Sequence, residues 1–229
     1  MVIPPKKKVW LPAKLTISNS IIEINYLDGT ALISSIKYAN GTSYSLSYTD
    51  KILKKLVKQL NNTIIQSADY LVADGKITRV QRFNISGQRS TPTEKYYFLY
   101  NTKSELVNVK TYEVSNLLQS ELNLAYNSAG NISSAALKTG SITENFEYTY
   151  DASNSLFKDV LIPQILRFEI NELFLNQGTN NLTRINNTSR SEDEISYQYI
   201  YNADNYPTEI KYTNKGVVGT YKVSYIELK

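Results

Sequence analysis

Carboxylates are the side chains in this sequence with the most capacity for acid–base chemistry. Histidine and cysteine are both absent. Their absence removes the commonest general base, the commonest metal ligand, thiol nucleophiles, disulfides and every Ser-His-Asp arrangement. The densest acidic group is Glu192-Asp193-Glu194, next to Arg190 in a serine-rich stretch. Two carboxylates facing each other across a cleft could hydrolyse a glycosidic bond. A solvated turn ahead of a strand explains this group more simply. Asp28, Asp50, Asp74 and Asp151 recur at similar places and offer oxygen ligands of the kind calcium takes. No Asp-x-Asp-x-Asp-Gly loop accompanies them, and turn capping accounts for them at lower cost. There is no Gly-rich phosphate loop and no nucleophile elbow. The chain is expected not to be an enzyme, with no catalytic, metal-binding or cofactor-binding residues, no cofactor and an unknown ligand site.

The charge balance is equally uninviting for nucleic acid. A pI near 8.9 comes from 25 basic residues set against 21 acidic ones, a net charge of only +4 over 229 residues. Lys6-Lys7-Lys8 follows Pro4-Pro5 and reads as a solvated tether over residues 1–8. Lys51, Lys54, Lys55 and Lys58 read as a solvated or edge-protecting face. No stretch reaches the roughly 18 apolar residues of a membrane-spanning helix. Met1-Val2-Ile3 runs directly into prolines without a signal-peptide pattern. Either the protein is cytoplasmic or the sequence begins after a removed leader. The second is favoured by 19 tyrosines and plentiful Asn, Ser and Thr, a composition suited to polar-faced β proteins outside the cytoplasm.

The elements that position these residues are set by a repeat. Alternating apolar residues end in Tyr and are followed closely by Asp or Asn: Ile22, Ile24, Tyr26, then Asp28; Tyr96, Phe98, Tyr100, then Asn101; Tyr197, Tyr199, Tyr201, then Asn202. The runs end at positions 26, 48, 72, 100, 126, 150, 201 and 225, a period of about 25 residues. A second landmark follows each run, with apolar or small residues three apart: Ile33 and Ile36, Leu53 and Leu56, Ile77 and Val80, Leu106 and Val109, Ile132 and Ala135, Leu182 and Ile185, Pro207 and Ile210. Period-two alternation places one set of side chains on one face of a strand. Asp, Asn and Gly then make the turn, and the second landmark opens the return strand. Seven hairpins and a final strand give about 15 strands, which must twist, curl or split to be accommodated.

Residues 152–179 interrupt the pattern. Leu156, Phe157, Val160 and Leu161 have helical spacing, Pro163 stops a helix, and Leu166, Phe168, Ile170 and Phe174 continue the most apolar part of the chain. A sheet with an apolar face must bury it, so a plug is the favoured reading of this insertion. A lid over a ligand is the other reading.

The segment Tyr199 to Ile210 resembles the YD repeat of Rhs-type bacterial surface proteins. More broadly, residues 9–229 resemble the YD-repeat-like envelope lipoproteins of gut-commensal Gram-negative bacteria, a family of unknown function. The points of contact are Trp10 to Leu15, Tyr148 to Asn154 with the insertion behind it, and the closing unit. The resemblance implies a periplasmic or cell-surface location, an outer-membrane lipid anchor in the precursor, and no catalytic residues.

The expected fold is all-β: antiparallel repeated hairpins in one extended, twisted or curled sheet. A single domain would span 9–229, with a short, partly helical insertion at 152–179. The expected function is non-catalytic binding or scaffolding at the outer membrane, as a monomer, with an unknown protein, glycan or lipid partner and no nucleic acid. Two alternatives are a half-barrel carrier of a lipid or other apolar ligand and a glycan-binding module using pattern-breaking aromatics such as Tyr97, Tyr112 and Tyr206.

Overall fold

The computed structural model describes residues 8–18, 20–170, 173, 178–190 and 193–228. Among them the chain forms sixteen strands. They are β1 (Trp10–Ile17), β2 (Ser20–Tyr26), β3 (Ile33–Tyr38), β4 (Thr42–Thr49), β5 (Ile52–Leu60), β6 (Thr63–Ala73), β7 (Lys76–Ser86) and β8 (Arg89–Tyr100). The second half is β9 (Leu106–Glu113), β10 (Leu118–Tyr126), β11 (Ile132–Thr139), β12 (Ile142–Tyr150), β13 (Leu182–Asn187), β14 (Glu194–Tyr201), β15 (Pro207–Asn214) and β16 (Val217–Glu227). Every strand pairs antiparallel with its chain neighbours, and β1 pairs with β16 from Trp10–Glu227 to Ile17–Tyr221. The sheet is therefore a closed barrel, which corrects the expectation of an extended, twisted or curled one. Trp10–Ile17 supplies a strand beyond the expected count, and closure leaves no edge for lysines to protect.

The repeat landmarks mark the places where the ladder is broken. Register shifts fall opposite Tyr26, Tyr48, Val72, Tyr100, Tyr126, Tyr150 and Tyr201. At each, an extra residue enters the return strand, as Ser34 does between Ile33 and Ser35. Such a β-bulge re-aims the side chains before it. It is why residues three apart, Ile33 and Ile36, both lie buried in the interior.

A bulge disturbs the ladder in a dry interior, where carbonyls need donors. Tyrosine supplies them. Tyr48 donates its hydroxyl to the Ile33 carbonyl at 2.8 Å, Tyr100 to Ile77 at 2.8 Å and Tyr126 to Leu106 at 2.9 Å. Tyr199 reaches Leu182 at 2.6 Å, and Tyr225 reaches Pro207 at 2.7 Å. Tyr26 reaches Pro12 at 2.8 Å, beside the irregularity in β1. Each phenol thus binds its own hairpin to the bulge of the preceding one. Two units depart from the rule. Val72 replaces tyrosine in one, and in the other the buried Tyr150 hydroxyl has no hydrogen-bond partner among the described residues.

The turn after each run is capped by the following Asx residue. The Asn101 side-chain oxygen accepts from the amides of Lys103 and Glu105, Asn127 from Ala129 and Asn131, and Asn202 from Asp204 and Tyr206. In the first unit Leu27 holds that position and the Thr30 hydroxyl helps instead, so Asp28 sits one residue past the cap. Asp50 with Lys51, and Asp74 with Gly75, form two-residue turns with φ of 51°, 64°, 50° and 73°, the left-handed pairs that hairpins favour.

Outward positions carry charge in register. Lys14 faces Glu23, which faces Lys37; Lys55 faces Asp69; Lys110 faces Glu121, which faces Lys138. A lipid-facing barrel instead needs an apolar band about 25 Å tall, where each mid-depth Lys costs about 2–4 kcal/mol. This outer surface is suited to water. The inner face is apolar, with Leu15, Ile36, Leu56 and Val80 at most 1% exposed.

The phenol bonds predict a contrast. Tyr100→Phe, which strands the Ile77 carbonyl, is expected to lower stability to urea by about 1–2 kcal/mol. Tyr150→Phe, which loses no bond, should change it by less than about 0.5 kcal/mol.

Candidate functional site

The sequence-nominated acids are not brought together. Asp193 pairs with Lys215 at 2.5 Å, Glu194 pairs with Arg184, and Arg190 turns to Glu144 at 2.8 Å. Glu192 lies outside the described residues. These are exposed or half-exposed ion pairs with three separate partners. Lys55 pairs with Asp69 at 3.8 Å on the outer face, whereas Lys58 stands over the Tyr44 ring, so the lysine cluster is not one surface. Lys8 pairs with Glu227 at 3.7 Å, and the rest of the proposed tether, residues 1–7, lies outside the described residues. Tyr97 and Tyr112 do form an outer aromatic pair, with centroids 5.4 Å apart and rings at 83°. They meet edge to face and offer no flat platform. Tyr206, expected at the surface, is buried at 2% exposure, with its hydroxyl on Asp159 of the insertion.

What the barrel does assemble is its interior. A closed sheet of this many strands encloses more space than its own side chains fill, and the insertion enters that space. Asp151 preserves the repeat's turn geometry around it. Its side chain accepts from the amides of Ser153 and Asn181, and its amide donates to the Asn181 carbonyl, as Asn101 does with Glu105. The insertion is thus looped out of an otherwise ordinary turn. Its neck is held by asparagines: Asn131 accepts from the Thr179 and Asn180 amides, and Asn181 accepts from the Leu156 amide. Beyond the neck, Leu156, Phe157, Val160, Ile165, Leu166, Ile170 and Leu173 pack into the core. This is the expected plug. The expected helix is absent: among the described residues the segment holds turns and a 3₁₀ stretch over Gln164–Phe168, but no α-helix. Phe174 lies outside the described residues.

The plug is latched by a buried ion pair. Arg82 on β7 grips Glu169 with its Nε at 3.0 Å and its Nη2 at 2.7 Å, bonds the Phe168 carbonyl at 3.2 Å, and reaches Glu94 at 3.0 Å. Its guanidinium lies 4.6 Å from the Tyr96 ring centroid. Burial opposes the Arg82 charge, but Glu169 and its other neighbours outweigh that and hold the guanidinium protonated. Burial pushes Glu169 up, and Arg82 draws it back only in part. The sequence offered no sign of this pair, because Arg82 and Glu169 are brought together only by the plug.

Between the plug and β8–β14 remains a cavity of about 400 Å³. Leu122, Leu124, Leu137, Phe146 and Ile185 form much of its wall, and Arg167 and Phe168 supply the plug side. The cavity exists because the plug packs asymmetrically. The mid-strand inward residues Ile22, Ile24, Leu46, Leu56, Ala68 and Val80 of the first half are buried, while Leu122, Leu124, Leu137 and Phe146 are only half-buried.

No family model and no curated protein matches the sequence. Among solved structures, the chain is similar to a porin-like protein from Bacteroides uniformis, at 15% identity and a TM-score of 0.63, with 96% of each chain covered. That likeness is one of fold. A DUF3836 family protein from Bacteroides vulgatus aligns at 12% identity and a TM-score of 0.27, covering 44% of this chain and 94% of that one. The latter similarity is too slight to carry an argument.

Two outcomes follow. Glu169→Ala, which leaves Arg82 with only its outer carboxylate, should cost about 2–3 kcal/mol in urea unfolding. Burial also raises the phenols of Tyr100 and Tyr197 to about 12, and those of Tyr26, Tyr48, Tyr199 and Tyr225 further. The folded state therefore holds these protons more tightly than the unfolded chain. The associated stability is complete below about pH 10 and is lost as pH rises through the folded values. In an alkaline titration, tyrosinate absorbance from these residues should appear together with loss of the β-sheet circular dichroism. Their ionisation near pH 10 with the sheet intact would contradict the assignment.

Proposed function

We propose that this chain is a non-catalytic binding or scaffolding protein of the cell envelope, related to the YD-repeat-like lipoproteins. The observation that carries the reading is the sorting of the barrel's two faces. Charge in complementary register lies outside, an apolar wall lies inside, and the chain's own insertion is drawn into the centre. The acids are committed to structure: Asp151 caps a turn, Glu94 and Glu169 hold Arg82, and Asp193 and Glu194 sit in surface ion pairs. In this reading the barrel stands beside the membrane, in water, as a monomer tethered through a lipid on the precursor.

Fractionating native cells that express the full-length gene tests the reading. The protein is expected in washed membranes, released by detergent but not by high salt. The barrel alone is expected in the aqueous phase of a detergent phase separation. Recovery in the cytoplasmic fraction, or partition of the isolated barrel into detergent, overturns the reading.

A further inference from the structure

The cavity beside the plug is larger than a packing fault explains. Its volume of about 400 Å³ lies within the roughly 300–1,000 Å³ typical of small-ligand sites. Core voids left by imperfect packing are rarely much larger than a water molecule. Six successive strands, β9 to β14, each give the wall an apolar side chain: Val109, Leu122, Leu137, Phe146, Ile185 and Ile195. Of these, Leu122, Leu137 and Phe146 are only half-buried although they face the interior. An interior that leaves such side chains short of cover gains by taking in an apolar molecule.

The cavity runs from the plug toward the end of the barrel away from the plug's neck. Thr111, Ser120 and Ile195, all within two residues of a strand end, contribute to its wall there. Thr111 and Ser120 are opposite partners across β9 and β10, and Val109 and Leu122 are opposite partners two residues further in. Two small hydroxyl side chains therefore stand together at the mouth, with hydrocarbon behind them. Large apolar residues stand exposed around that end: Leu117 at 61%, Ile142 at 60% and Val217 at 65%. A rim of this kind suits the passage of an apolar molecule better than that of a sugar or an ion.

Charged groups near the cavity are engaged elsewhere. Arg167 reaches the wall at the plug side, but its guanidinium lies 5.2 Å from the Phe168 ring centroid and has interactions of its own. At the mouth end Arg190 is committed to Glu144 at 2.8 Å and Lys215 to Asp193 at 2.5 Å. The Tyr96 phenol donates to Glu94 at 2.7 Å. From plug to mouth the lining thus passes from hydrocarbon to a pair of neutral hydroxyls. At roughly 30 Å³ for each water-sized group, the cavity accommodates about a dozen non-hydrogen atoms.

We propose that the cavity binds an uncharged amphiphile with a single medium-length hydrocarbon tail. The tail lies along Leu122, Leu124, Leu137, Phe146 and Ile185, and the neutral polar end lies in the mouth beside Thr111 and Ser120. The ligand enters past the apolar rim. This inference deepens the non-catalytic binding reading and rests on it.

Titration calorimetry of delipidated protein with the 1-alkanols from hexanol to decanol tests the proposal. One alkanol per chain is expected to bind saturably, tightening about fourfold with each added methylene, the gain from burying that group. Decanoate should bind no more tightly than decanol. Leu124→Trp, which fills the slot, should abolish decanol binding. Ile195→Trp repeats that test at the outer end should the first variant fail to fold. Thr111→Val combined with Ser120→Ala should weaken decanol by about fivefold, the loss of one neutral hydrogen bond. No saturable binding to the parent protein, affinity indifferent to chain length, or decanol binding unchanged in a folded Trp variant overturns the proposal. Tighter binding of decanoate than of decanol overturns the uncharged assignment. Decanol binding unchanged in the double variant overturns the placement of its polar end. If binding fails while the protein still fractionates with membranes, only the amphiphile inference falls. If the protein is cytoplasmic, the envelope reading falls with or without binding.

Discussion

A hydroxyl on an inward-facing ring, given to the carbonyl of a bulged neighbour, is the contact on which this barrel depends. The bulges bend and twist each ribbon. Bending is what lets one sheet curve far enough to meet itself. Each bulge also disturbs the ladder in a place water does not reach. Tyrosine meets both needs of such a place, because its ring adds apolar area to the core and its polar tip supplies the donor. The bonds run from one hairpin to the preceding one. They reach both strands of the closure, from Tyr26 on β2 to Pro12 on β1 and from Tyr225 on β16 to Pro207 on β15.

Closure has a consequence that an open sheet avoids. The ring is wide, its inner wall is apolar, and no second sheet covers that wall. The insertion is the chain's answer, and it is added at the point of least disturbance. Asp151 keeps the cap that Asn101, Asn127 and Asn202 keep, so the flanking strands are paired as in every other unit. Apart from the unit where Val72 stands in for tyrosine, the staple logic falters next to the insertion, where the Tyr150 hydroxyl has no hydrogen-bond partner among the described residues and Tyr201 turns to Asp151. The plug is anchored on one side by Arg82 and Glu169, and the slack on the other side is the cavity.

Much of this was legible in the residues. The strand runs, the turns, the spacing of bulged residues and the position of the insertion all follow from local periodicity, which depends only on neighbours in the chain. Closure was not legible, because it depends on Trp10–Ile17 finding Val217–Glu227 at the far end of the sequence. The spacing of Leu156, Phe157, Val160 and Leu161 fits a helix or a run of turns, and only packing in the barrel chooses the turns. Tyr206 breaks the alternation and so has the sequence pattern of a surface aromatic. It is buried because the plug, through Asp159, comes down upon it. The cavity had no local signature, since its existence depends on how far a distant segment fills the ring.

Amide hydrogen exchange at β1 and β16 tests the closed ring most directly. In a closed barrel both strands are paired on each side, so the amides of Leu15 and Val223 should exchange as slowly as those in the middle of β8 and β9. Rapid exchange confined to β1 and β16, as at the free edges of an open sheet, would contradict the account.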